Sequence, residues 1–245
     1  GFALQPLNFL PGVNVFITIL LLCLPLIGNA HFMLALFTGV SMLLAQRSLY
    51  ACYKVEQPVV PILHAFFLLS ISAVLTPWML FLIPFFLWHT GVLMRCLTWR
   101  VFWAGVFGLL VPYAFMTLLS LLLDNMEYFD SLHTAFTTRP WLYVVFIAAY
   151  PMHVLVDYFS RFSIWQWIPW GLISLMGIFC IWHFFRTRHR SMIQQRLEAY
   201  IAVHNSVALW GLIFIFPQFY YSLIGGLAAC LSPLVIRFAE QCRNS

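Results

Sequence analysis

Charge is what this chain has least of. Only 8% of its 245 residues are Asp, Glu, Lys or Arg, against roughly 25% in an ordinary soluble domain. A folded chain so poor in charge cannot cover its surface against water, which excludes a soluble globular protein. No CxxC pair occurs among the six cysteines, 23, 52, 96, 180, 230 and 242. They therefore read as small apolar residues or free thiols near the cytoplasmic face, not as a metal site or disulfide frame. There is no GxGxxG, Walker loop, HExxH or GxSxG, so the usual nucleotide, zinc-protease and serine-hydrolase readings have no support. A basic n-region with a cleavage site is also missing, and the chain begins at Gly1 rather than Met. The native start is expected to be missing or processed.

What fills the chain instead is apolar. Hydrophobic residues make up 63% of it, and mean hydropathy is +0.93. Residues 58–123 carry two formal charges, Arg95 and Arg100, both at the break MRCLTWR. Runs this long need lipid around them. The reading is all-α: a polytopic α-helical integral membrane protein, one transmembrane domain over 1–245, with no room for a separate soluble one. The net charge of +5 fits cytoplasmic loops beside anionic lipid. It gives no case for nucleic-acid binding.

About eight crossings are expected: 13–28, 30–50, 59–75, 78–94, 101–123, 171–185, 197–216 and 218–238. The run 13–50 is divided at Gly28-Asn29 because 38 residues of helix would reach about 57 Å, nearly twice the hydrocarbon layer. The charge-free run 59–94 divides at Thr76-Pro77, and Pro84 should bend its second half. In 101–123 the Gly105/Gly108 pair and Pro112 offer a face for close helix packing. The segment 141–158 is interrupted by Pro151, His153 and Asp157, and is expected to be re-entrant or interfacial. Were it a full crossing, the arginine-rich link 186–196 would face the opposite side from Arg95 and Arg100. With 141–158 not crossing, every basic connection falls on one side, both termini are cytoplasmic, and the positive-inside rule is obeyed.

Ionisable residues at membrane depth are functional candidates. His153, Asp157 and Arg161 lie at spacings of four, on one face if helical, where they would bind a head group or relay a proton. A helix terminus holding its own salt bridge explains them as well. Asp124, Glu127 and Asp130 would sit just outside the membrane. Membrane glycosyltransferases use acids with a divalent metal in external loops, but usually in the first such loop. Here that loop, Gly28-Asn29-Ala30, has no carboxylate. Arg186, Arg188, Arg190 and Arg196 should contact lipid head groups, and a cytoplasmic partner would dock there too. His31, His64, His89, His183 and His204 fall in or near spans. Paired on facing helices they would suit haem, but no helix contains such a pair, and His89 and His183 read as interfacial anchors beside Trp88 and Trp182.

The central block resembles a family of uncharacterised polytopic inner-membrane proteins of Bacteroidota. The residues that carry the likeness are the break at Thr76-Pro77, the link Thr98-Trp99-Arg100, GLLVPY at 108–113 and the arginine-rich link at 186–196. It covers about half of the chain. It implies a bacterial inner membrane and a longer N-terminal part, and it carries over no catalytic residue.

The function expected from all this is that of a non-catalytic integral subunit or scaffold of a larger membrane complex. Its partners would be lipids and other membrane subunits, and no cofactor or metal is called for. A transporter or handler of a lipid-linked substrate is the first rival. A glycosyltransferase-like enzyme and a haem-binding subunit come after it.

Overall fold

The computed structural model describes residues 14, 16, 17, 29–122, 164–187, 189, 192–215 and 220–243. Helix α1 is Asn29–Tyr50 and α2 is Val59–Leu75. A broken segment follows: a 3-10 helix Pro77–Leu82, a short α3 at Ile83–Trp88, and a π-helical turn His89–Leu93. Then come α4 (Trp99–Leu122), α5 (Ile164–Thr187), α6 (Ile193–Ile215) and α7 (Tyr220–Arg243). No strand occurs among the described residues. In hydrocarbon every backbone N–H and C=O must be satisfied within the chain, and helices do this residue by residue.

Among the described residues five helices, α1, α4, α5, α6 and α7, are long and apolar enough to cross a membrane, and Val59–Val74 and Trp78–Leu93 are shorter apolar helices. The protein is thus an all-α polytopic membrane protein. Of the further crossing expected at 13–28, only residues 14, 16 and 17 are described, all helical. The segment 141–158 lies outside the described residues.

The division at Thr76-Pro77 is found. The Thr76 N–H closes α2 by donating to the Ser72 carbonyl at 3.0 Å, and Thr76 itself is extended (φ −136°), as a residue before proline should be. The second half of that run winds in three successive forms, 3-10, α and π. Pro77 and Pro84 each stand in the first turn of a new winding, where a missing N–H costs nothing. The Met94 N–H then reaches back five residues to the His89 carbonyl at 2.8 Å, which widens the last turn.

Small residues decide how closely the helices approach. A Cβ on Gly225 of α7 would strike the Ala35 backbone of α1. A Cβ on Gly108 of α4 would lie 2.5 Å from the Leu63 carbonyl of α2. The Gly105/Gly108 face expected from the sequence is therefore the α2–α4 contact, and Ser70 fastens it by donating to the Leu109 carbonyl at 2.7 Å. Between α1 and α2, Ser41 and Ser72 share a hydrogen bond of 2.6 Å. Helix α7 lies deepest: 72% of its span is buried, against 28% of α4's and 33% of α5's.

These contacts fix directions. Ala35 meets Gly225 while Gln46 bonds Cys230, so α1 and α7 run the same way. On α5, Gly177 meets Leu231 and His183 meets Phe238, so α5 runs with them. Phe184 packs on Tyr200 and Ser174 on Trp210, so α6 runs against them, and α2 and α4 do the same. Every described Lys and Arg consequently gathers at one end: Arg47 and Lys54, Arg95 and Arg100, Arg186, Arg196, Arg237 and Arg243. The Arg95/Arg100 break and the 186–196 link share that end, as the same-side topology requires. Helix α4 finishes and α5 begins at the other.

Candidate functional site

The expected candidates are unevenly placed. His153, Asp157 and Arg161, and the acids Asp124, Glu127 and Asp130, lie outside the described residues, as do Arg188 and Arg190. Arg186 is exposed at the end of α5 and Arg196 half-buried near the start of α6, positions suited to head groups. Of the histidines, His64 is exposed, and half-buried His183 stands edge-on to Phe238 with ring centroids 4.9 Å apart.

His89 corrects its expectation. It is not an interfacial anchor: it is fully buried, while its neighbour Trp88 is exposed. The π-helical turn rotates it inward, where its ring stacks on His204 of α6 with centroids 5.6 Å apart and planes 16° from parallel. Tyr200, one turn earlier on α6, extends the stack beyond His204 at 6.4 Å. The pairing sought within helices exists between them. It does not suit haem, because axial imidazoles face each other across a porphyrin plane, and stacked rings leave no room for the macrocycle.

Neither His89 ring nitrogen has a hydrogen-bond partner among the described residues, nor does His204 Nδ1. Next to it, fully buried Asn205 leaves both side-chain amide atoms without one. A buried polar group left unmatched costs about 1–3 kcal/mol. A neutral imidazole offers one donor and one acceptor, and at His89 neither is used among the described residues.

A second polar layer lies nearer the basic end. Gln46 of α1 donates from Nε2 to Cys230 Sγ of α7 at 2.9 Å, leaving its Oε1 without a partner. The Tyr50 hydroxyl and Arg237 Nη1 are likewise buried and unpartnered. Glu198 of α6 accepts from Gln194 at 3.2 Å and is within electrostatic reach of both Tyr50 and Arg237. On its far side Arg237 lines a cleft between α5 and α7, together with His183, Thr187 and Gln241.

No protein-family model matches this chain, and no curated protein or solved structure matches it. What it does has to be read from its own geometry. Among the described residues, no group of three or more His, Cys, Asp or Glu side chains is placed to hold a metal ion. Sequence reasoning missed the His89–His204 pair and the Gln46/Tyr50/Glu198/Arg237 layer because each joins residues on different helices. The one available signal was that Glu198 and Arg237 are charges inside otherwise apolar spans.

Proposed function

We propose that this chain is a non-catalytic integral component of a bacterial inner membrane, inserted with its basic end in the cytoplasm and assembled with other membrane subunits. The carrying observation is the uneven cover of the bundle. The buried helix α7 is surrounded, whereas α4 turns Trp99, Trp103, Phe107 and Phe115 outward, one below another, and α5 turns out Leu172, Leu175, Phe179 and Trp182. Lipid covers such flanks in a lone protein, and subunits cover them in a complex. The positive-inside rule supports the orientation, and the resemblance of 64–124 to Bacteroidota inner-membrane proteins supports the compartment. Gentle detergent extraction followed by native mass spectrometry tests the reading. A stoichiometric complex is expected. A single chain bearing only lipid would overturn it.

A second reading has its own support. The broken segment 77–93 puts a wide turn and two unpartnered imidazole nitrogens inside the bundle, and interrupted helices of this kind form solute sites in transporters. Under that reading a small polar solute or a proton passes by His89 and His204. A solute released on denaturing the purified protein should vanish in His89→Leu and in His204→Leu and persist in His183→Leu. The apolar replacements sacrifice no hydrogen bond at His89, so the fold should hold. Equal release from all three variants would remove the histidine pair from any solute role.

A further inference from the structure

Arg237 stands on α7 less than two turns before its end and is half-buried. Its Nη1 is shut inside the bundle with no hydrogen-bond partner among the described residues. Glu198 of α6 and Glu240 of α7 act on it electrostatically, yet neither hydrogen-bonds that nitrogen. A guanidinium keeps its charge in a protein, and burying a charge without a partner is costly. The same side chain lines the cleft between α5 and α7.

His183 and Thr187 border the cleft from α5, and Phe238 and Gln241 from α7. The His183 ring stands edge-on to Phe238 and carries one N–H when neutral. Thr187 Oγ1 lies 2.8 Å from the His183 carbonyl and 3.2 Å from Gln241 Oε1, so its proton is engaged and the two helices are tied there. Trp182 is exposed beside His183, and tryptophan marks the border between hydrocarbon and head groups. Arg186, exposed one residue before Thr187, adds positive charge at this edge. Away from the basic end an apolar row leads off. Thr187, His183, Phe179 and Leu175 recur every four residues and so share one side of α5. Phe179 and Leu175 are exposed, and Phe179 meets Phe238 edge-on at 5.2 Å. From His183 to Leu175 the helix runs about 12 Å, most of the roughly 15 Å of hydrocarbon in one leaflet.

We propose that this cleft is a lipid site: it binds the phosphate of one anionic phospholipid from the leaflet at the basic end, with an acyl chain laid along Phe179 and Leu175. Arg237 brings a fork of N–H donors matched to phosphate oxygens, and His183 brings one more. Basic pockets between spans bind such head groups. Two carboxylates stand near, but exposed Glu240 is screened by water and salt, and Glu198 belongs to the inner layer with Gln46 and Tyr50. A zwitterionic head group would set its ammonium against Arg186, which favours an anionic one. Free phosphate offers the same oxygens but gains nothing from Phe179 and Leu175.

The test is native mass spectrometry of the full chain, stripped of lipid in detergent and titrated in turn with phosphatidylglycerol, phosphatidylethanolamine and inorganic phosphate. The wild type should take up a first phosphatidylglycerol well before a second. Arg237→Gln should weaken that first adduct about tenfold, as the loss of a charge-assisted hydrogen bond does. His183→Leu should weaken it roughly threefold, as the loss of a neutral one does. Arg100→Gln removes an exposed arginine at the same end and should change nothing. His183→Leu leaves the Glu198 layer intact, so it decides the matter even where Arg237→Gln does not fold. A first adduct as strong in His183→Leu as in the wild type would overturn the proposal. So would phosphatidylethanolamine bound as tightly as phosphatidylglycerol, or inorganic phosphate held as tightly as the lipid.

Discussion

At the residue scale, the chain's chemistry sits in side chains whose partners are distant in sequence. His89 was hard to read. Beside Trp88 it has the composition of an interfacial anchor, and only the extra residue in the π-helical turn, with Met94 bonding back to His89, turns it inward to His204.

At the scale of the element, much was legible. Charge scarcity alone marks the spans, because lipid demands apolar helices, and proline marks their breaks, because it withholds a donor. That is why α2 is found over 59–75 as expected and stops at Thr76. The winding of 77–93 was not legible. Two prolines announce interruptions, but whether the chain between them winds as 3-10, α or π depends on the neighbours it packs against, Met79 on Gly226 and His89 on His204. Glycine spacing pointed correctly to the face of α4 that meets α2. It did not reveal that Gly225 sets the distance between α1 and α7. Gly225→Val should therefore cost about 1–3 kcal/mol, the usual penalty of overpacking, since backbone rather than a movable side chain stands in the way. Gly211 on α6 has open space around it, and Gly211→Ala should gain roughly 0.5–1 kcal/mol from helix propensity. Thermal unfolding of the two variants in the same detergent checks the contrast. Equal midpoints would show that the α1–α7 approach is not limited at Gly225.

At the scale of the whole molecule, the bundle is polar in its charge. Eight Lys and Arg residues among those described lie at one end of the bundle, although they come from four separate stretches of sequence. The sequence alone allowed two topologies, depending on 141–158. The contacts that join α1, α2 and α4, and α1, α5, α6 and α7, bring the Arg95/Arg100 break and the 186–196 link to the same end without reference to that segment. Positively charged short connections are retained in the cytoplasm, and anionic lipid on that leaflet draws them further. The end that holds Arg237 and Arg243 should therefore face inward. Cys242 reports on it directly, being exposed in the last turn of α7 among those arginines. A membrane-impermeant maleimide applied to intact spheroplasts should leave Cys242 unlabelled, and the same reagent applied to inverted vesicles should label it in full. The buried Cys180 and Cys230 should stay unlabelled in both preparations. Labelling of Cys242 from outside would invert the whole bundle. It would put the end that holds Arg47, Arg100, Arg237 and Arg243 at the periplasmic face, against the charge rule.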